Sequence, residues 1–201
     1  MSLSHNRGWD GAYHRYPLRR LPWELGRPRE ILVDLVKSGR VGPSETLDLF
    51  CGAGTNPVYL AERGFQVTAL DISDRAVELT IEKADQAEVN IYTLIGDFVS
   101  LPFTDEKFDF VFDFGCFHHV EIRNRAAFID GVHRVAKTGG TYLMVCFSDK
   151  NGRAWNHFSR EQIVELFGDH FEFESIDHVS SLEGDGITRY FYEVLMSKRY
   201  T

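Results

Sequence analysis

The stretch LDLFCGAGTNPVYLAERGFQVTALDIS, residues 47–73, decides the fold. Thr46 to Phe50 is a short β-rich apolar run, and glycines follow at 52 and 54. Thr55 to Arg63 reads as a short helix that Gly64 ends, and Phe65 to Leu70 gives a second strand closing at Asp71. Strand, glycine loop, helix and strand form one βαβ unit, whose strands are expected to be parallel. Glycines lacking side chains let the loop turn and let a ligand approach its backbone closely. An acid closing the next strand, 19 residues beyond Gly52, can accept both hydroxyls of a ribose. A nucleoside-bearing ligand is therefore expected. A dinucleotide fingerprint would place a third glycine at position 57, where this chain has Pro57, and would not call for the acid at Asp48.

The same alternation continues outward. Ser73 is expected to cap a helix running to about Ala87, with Asp74 in its first turn and Ala76, Val77, Thr80 and Ile81 at helical spacing. Ile91 to Ile95 and Phe108 to Phe114 are the next strands, and Asn124 to Ala136 is the next helix. The Lys137-Thr138-Gly139-Gly140 turn stops that helix, and Thr141 to Phe147 is the fifth strand. Ser159 and Gln162 stand at capping-box spacing on a helix to Phe167. Phe171 to Val179 and Arg189 to Ser197 then follow without a helix between them, joined by a polar loop with Gly184, Asp185 and Gly186, which predicts an antiparallel hairpin. The expected fold is α/β: a single Rossmann-like domain with a seven-stranded, mostly parallel sheet, a C-terminal antiparallel hairpin and helices on both faces. Residues 1–28 are expected to form an N-terminal lid or arm, and 29–201 the ligand-binding domain.

Composition narrows the function classes. With 201 residues, 43% hydrophobic and 26% charged, the chain has the make-up of an ordinary globular domain. The net charge of −8 argues against a surface built for phosphate backbone. The first 40 residues nevertheless hold eight basic and four acidic groups, so an arm of +4 precedes a body of −12. No apolar run reaches the roughly 18 residues of a membrane span, and Met1 to Arg20 lacks the apolar centre of a signal peptide. Three cysteines without paired spacing point to reduced thiols, and the expected location is the cytoplasm.

The acid and glycines of Asp48-Leu49-Phe50-Cys51-Gly52-Ala53-Gly54 resemble the first motif of the class I S-adenosylmethionine-dependent methyltransferases. The resemblance extends over most of the chain, through Asp71 in the ribose-binding position, Gly96-Asp97-Phe98 in the adenine-contacting position, FDFVFDFGCFHHV (108–120) as the fourth-strand motif, and the 137–140 turn. It departs from the motif at Phe50, which stands where the first glycine is usual. The arm, with Tyr13, Tyr16 and Pro22-Trp23-Glu24-Leu25-Gly26, is similar to the lid segments of small-molecule members such as thiopurine, thiol and tellurite-resistance methyltransferases, as is CGAGTN with Asn56. The resemblance implies that S-adenosylmethionine is bound by Trp23, Asp48, Gly52, Ala53, Gly54, Asn56, Asp71, Ile72, Asp97, Phe98 and Phe114, with S-adenosylhomocysteine as product. The acceptor would be a small molecule lined by Tyr13, Tyr16, Phe117 and Phe147. Aromatic faces suit a sulfonium cation; the alternative for Tyr13, Tyr16 and Trp23 is an aromatic strip anchoring the arm on the core.

Methyl transfer from a sulfonium mainly demands in-line placement. A base helps an alcohol or amine acceptor, and His118 and His119, directly after the fourth strand, are the candidates. The alternative for each is a loop histidine bonded to neighbouring backbone. Cys116 and the two histidines lack a second paired motif, so no zinc site is expected. Cys51, Cys116 and Cys146 end strands expected to be neighbours, and read first as small buried hydrophobes. Among competing functions, a pyrimidine C5-methyltransferase needs an attacking cysteine, typically after proline, and none here follows proline; Asp113-Phe114-Gly115-Cys116 lacks the Pro-Pro step of amino-methylating DNA enzymes. A nicotinamide oxidoreductase is disfavoured by Pro57 and the hairpin, and a cofactor-binding protein without turnover stays open. The expected partner is a small molecule, without nucleic acid or membrane, for a monomer or homodimer.

Overall fold

A computed structural model describes residues 3–152 and 156–200, in two compact units. The first comprises Met1–Asp97 with Glu183–Ile187, the second Phe98–Leu182 with Thr188–Thr201. Their strands appear in one seven-stranded sheet of order β3-β2-β1-β4-β5-β7-β6.

In the first unit, β1 (Glu45–Leu49) pairs in parallel with β2 (Gln66–Asp71), which pairs in parallel with β3 (Tyr92–Ile95). Leu47, Leu49, Val67, Ala69 and Leu70 are buried, as near-continuous apolar strands of a covered parallel sheet should be. The register sets Leu49 opposite Leu70 and Asp71 opposite Ile95, so the glycine loop leaves β1 beside the acid that closes β2. Between these strands runs α3 (Thr55–Ala61). Helix α4 (Asp74–Gln86) is capped as expected: the Ser73 hydroxyl accepts from the Ala76 amide. The hydrophobic pattern places Ala76, Val77, Thr80 and Ala84 on its buried side.

Two helices of this unit have no counterpart in the sequence reading. Helix α1 (Leu3–Arg15) contains Gly8, Gly11 and two histidines, so intrinsic propensity is weak. Tertiary bonds hold it instead, since Asp10 Oδ1 accepts from the Ser73 hydroxyl at 2.7 Å and from the Arg75 amide at 3.2 Å. Helix α2 (Glu30–Lys37) buries Leu32 and Leu35.

The second unit has β4 (Phe108–Phe114) parallel to β5 (Ala136–Phe147), which pairs antiparallel with β7 (Thr188–Lys198), itself antiparallel to β6 (Phe171–Leu182). The C-terminal hairpin is thus as expected, with strands longer than their patterns suggested. Helix α5 (Arg125–Val135) buries Phe128, Ile129, Val132 and Val135, and α6 (Arg160–Phe167) starts in the expected capping box of Ser159 and Gln162. One correction concerns residues 137–140. They do not form a turn ahead of the strand but a bulge inside it: Phe108 faces Ala136 while Phe110 faces Thr141. Gly139 supplies a φ of +72°, and a Cβ on Gly140 would lie 2.8 Å from the Lys137 carbonyl oxygen. Lys137 Nζ closes the bulge on Asp109, at 2.8 and 2.9 Å from its two oxygens. Among the described residues no helix is long and apolar enough to cross a membrane.

Candidate functional site

In the first unit the site grows from the loop between β1 and α3. Phe50, Gly52 and Gly54 all have positive φ, at 66°, 56° and 79°. For Phe50 this left-handed conformation costs roughly 1 kcal/mol or more, and a glycine would adopt it freely. The departure from the family motif is therefore in side chain only, since the backbone still takes the glycine-like path. The amides of Phe50 and Cys51 both donate to the Leu70 carbonyl, at 2.6 and 3.0 Å, which pins the loop to the end of β2. Gly54 lies against α4, where a Cβ would meet the Thr80 backbone at 2.8 Å. The Thr80 hydroxyl donates to the Gly52 carbonyl at 3.0 Å, tying loop to helix.

Successive loop amides hold two carboxylates. Gly52 N–H donates to Asp71 Oδ2 at 3.0 Å, and Ala53 N–H donates to Glu24 Oε1 at 3.0 Å. Asp71 Oδ1 accepts from the Ser73 amide at 2.9 Å. Burial pushes the Asp71 carboxyl up to about 6; backbone donors at Ser73, Gly52 and Ile72 work against that rise, and the charge of Glu24 adds to it. A buried carboxylate at a strand end, fixed by backbone N–H groups, suits a diol or a cation. Cys51 is buried with Sγ 3.6 Å from the Thr80 hydroxyl, and its thiol is pushed well up by burial.

The arm brings aromatic groups to this loop. The Tyr13 hydroxyl donates to Glu24 Oε1 at 2.9 Å and accepts from Trp23 Nε1 at 2.8 Å. Trp23 meets Tyr13 edge-on with centroids 6.2 Å apart, and Trp9 likewise at 5.2 Å. Tyr13, Leu21, Ala53 and Ala76 form one buried cluster, with Trp23 and Leu79 packed against it. Tyr13 is buried in that cluster, and its hydroxyl also reaches Glu24 at the loop. Tyr16 is 45% exposed and stands apart. Asn56 turns its Oδ1 to the Arg29 amide at 3.1 Å, so in this structure it fastens the chain after the arm. Asp48 and Ala53 are buried, while Ile72 and Asp97 are half-buried.

In the second unit, β4 delivers Asp113, Phe114 and the segment to His119. Asp113 is buried; its two oxygens accept from the amides of Cys116 (3.1 Å) and Phe117 (3.3 Å), folding the chain into a tight turn at Gly115, φ +78°. Burial pushes its carboxyl up to about 7. His118 is buried, its ring stacked on Phe147 at 3.9 Å between centroids, with Nδ1 accepting from the Phe147 amide at 3.2 Å. That bond puts the ring proton on Nε2. Burial, reinforced by His119, holds His118 well below the usual histidine range. His119 is half-buried and tilted on His118 at 4.4 Å. Phe117 lies fully inside, stacked on Phe158 at 5.0 Å and beside Phe128 and Phe167, which makes it a core side chain. Phe98 is also buried, edge-on to Phe128. Phe114 is half-buried, and both it and Phe147 pack on Phe191.

Glu24, within Pro22-Trp23-Glu24-Leu25-Gly26, has no local sequence signal for its role, because the Ala53 amide it meets lies 29 residues on. The Arg29–Glu183 ion pair likewise has no local pattern to signal it.

Residues 46–140 match the family described as Methyltransferase domain. A relative from Mycobacteroides abscessus, 2-heptyl-1-hydroxyquinolin-4(1H)-one methyltransferase, is 28% identical over 129 residues, 64% of this chain and 56% of the relative. A protein of Arabidopsis thaliana named Probable thiol methyltransferase 2 is 27% identical over 148 residues, 73% of this chain and 64% of that one. The chain thus spans less than two thirds of the length of either relative. Among solved structures, one concerned with conversion of a disulfide bond into a thioacetal group during echinomycin biosynthesis superposes with a TM-score of 0.87, covering 98% of this chain and 92% of that one at 22% identity. That likeness shows the fold. The matched stretch contains the glycine loop, Asp71 and β4, so this part of the chain is similar to methyltransferase domains.

Proposed function

We propose that this protein transfers the methyl group of S-adenosylmethionine to a small-molecule nucleophile by direct displacement, leaving S-adenosylhomocysteine. The observation that carries the reading is the paired seating of Asp71 and Glu24 on successive amides of the glycine loop. When bound, the cofactor supplies an electrophilic methyl group on a positively charged sulfur. Asp71 is assigned the ribose hydroxyls, Gly52, Ala53 and Gly54 the close backbone approach, and Trp23 a face toward the cation. Asp48, Asn56, Ile72, Asp97, Phe98 and Phe114 complete the cofactor set. For Phe98, as for Phe117 on the acceptor side, the part is to support neighbouring residues from the core.

Acceptors of the type named in the relatives, a hydroxyquinolone and a thiol, support a small nucleophile. Tyr13, Tyr16 and Phe147 are assigned to the acceptor. Of the two histidines, His119 is the better proton acceptor, because the Nδ1 of His118 is already occupied by backbone. A thiol, with a pKa near 8.5, would need little help from either. The three cysteines are free thiols, which fits the cytoplasm, and the net charge of −8 fits a reaction without nucleic acid. The test is a screen of thiols, phenols, amines and halides for S-adenosylhomocysteine formation, with calorimetric titration of the cofactor. Measurable cofactor binding with turnover of at least one class is expected. Absence of binding would overturn the reading.

A further inference from the structure

We propose that Glu24 is a specificity-determining residue that reads the charge on the cofactor's sulfur, favouring the sulfonium over the neutral thioether product. The proposal rests on the glycine loop being the S-adenosylmethionine site. It starts from how Glu24 is held. Both hydrogen bonds to its carboxylate fall on one oxygen: Ala53 N–H and Tyr13 Oη–H both donate to Oε1, at 3.0 and 2.9 Å. Among the described residues Oε2 takes no hydrogen bond. The carboxylate is thereby fixed against the loop with one oxygen open, the arrangement of a preorganised ligand group. Burial together with the charges of Glu24 and Asp71 keeps the Tyr13 phenol protonated, so it stays a donor to Glu24.

What surrounds Glu24 selects the kind of cation. A sulfonium carries no N–H or O–H, so conventional hydrogen bonds cannot recognise it, and charge, aromatic faces and weak contacts to its polarised C–H groups do so instead. The arm supplies the first two at one place: a half-buried carboxylate and the rings of Tyr13, Trp23 and Trp9, with Trp23 bonded to Tyr13 and Tyr13 to Glu24. The neighbouring amide holds a second carboxylate, Asp71, and the positive charges of Lys83 and Arg29 also act on Glu24, so a ligand cation adds to charges already present. Methyl transfer removes that positive charge: the sulfur keeps the electron pair of the broken S–CH3 bond and becomes a neutral thioether. Glu24 thus attracts the cofactor before reaction and loses its partner after it, which speeds product departure.

The test is calorimetric titration of the full chain with S-adenosylmethionine, S-adenosylhomocysteine and the cationic amine analogue sinefungin. Glu24→Gln keeps an oxygen for the Ala53 amide and removes the charge. It is expected to weaken S-adenosylmethionine and sinefungin by about tenfold while S-adenosylhomocysteine changes by less than about twofold, since a unit charge pair in a half-exposed site is worth on the order of one decade of affinity. Equal weakening of all three ligands, or no weakening, overturns the proposal. Glu24→Asp keeps the charge, so even if a looser arm lowers every affinity, the preference for the cations should survive; its loss in Glu24→Asp also overturns the proposal. A wild-type protein that binds none of the three would instead overturn the cofactor site itself.

Discussion

Arg29 and Glu183, 154 positions apart, form a buried bidentate pair, with Arg29 Nη1 at 3.0 and 3.1 Å from the two carboxylate oxygens. Their side chains are 7% and 4% exposed. The second guanidinium nitrogen, Nη2, donates to the Trp23 carbonyl at 2.8 Å, and the next residue after Glu183, Gly184, donates its amide to the Pro22 carbonyl at 2.9 Å. Gly184 thus holds the Pro22 carbonyl while Arg29, paired with Glu183, holds the Trp23 carbonyl, immediately before Glu24.

Breaking that pair leaves one buried charge without its partner. Glu183→Gln or Arg29→Met should each destabilise the fold by about 3–5 kcal/mol, while joint replacement of both by apolar side chains should recover much of the loss. Chemical denaturation of the two single variants and the double variant decides it; strictly additive losses would show that the charges do not act as a pair.

Gly54 has no room for a side chain. A Cβ there would meet Thr80 Cα and Oγ1 at 2.8 Å, and φ is +79°. Gly54→Ala should cost about 2–5 kcal/mol from the left-handed backbone and the clash together. Because the same loop seats Asp71 and Glu24, cofactor affinity should fall as well. A variant with a wild-type melting temperature would show that the loop and α4 separate at little cost.

Asp71→Ala should weaken S-adenosylmethionine by about 1–3 kcal/mol, the loss from removing an acceptor for buried hydroxyls. The wild-type pH dependence carries a sign. The folded value of about 6 lies above the roughly 3.9 of an unfolded aspartate, so the native state holds the proton more tightly. Its contribution to stability is full below pH about 4 and is lost as pH rises through 6. Asp71→Asn should flatten that segment of the stability curve, and a binding cation should favour the ionised acid, so wild-type affinity should rise through pH 6 where the variant's does not. Calorimetry from about pH 5 to 8 checks both.

His118 should stay neutral well below the usual histidine pKa, with its proton on Nε2. A histidine depressed in the folded state binds fewer protons than in the unfolded chain, so its contribution is full above pH about 6.5 and is lost as pH falls toward the folded value. Ring nitrogen shifts in an NMR titration should show an Nδ1 acceptor and no midpoint near 6.5. A midpoint there would free His118 for proton transfer. With an alcohol or amine acceptor, His119→Ala should lower turnover by about 10²–10⁴-fold without weakening the cofactor; with a thiol the effect should be modest and shrink as pH rises.

The parts set by local pattern were legible in the amino-acid sequence. Apolar β-rich runs between helical patterns located the seven strands, because strands covered on both faces are apolar along their length, and Ser73 and Ser159 marked helix starts, because a cap bonds within three residues. The glycine loop and Asp71 were legible for the same reason, each being defined by what lies beside it in the chain. Tertiary structure alone decided the rest. Helix α1 forms despite poor propensity because Ser73 and Arg75 engage Asp10. Residues 137–140 bulge rather than turn because β5 begins pairing at Ala136, before the glycines. His118 is fixed by the Phe147 amide, 29 residues on, and Glu24 reaches the Ala53 amide from 29 residues before. A pairing between distant residues is set by packing, which no local periodicity encodes, and in this protein packing turns an arm glutamate and a strand-end aspartate into one pair of acids on one loop.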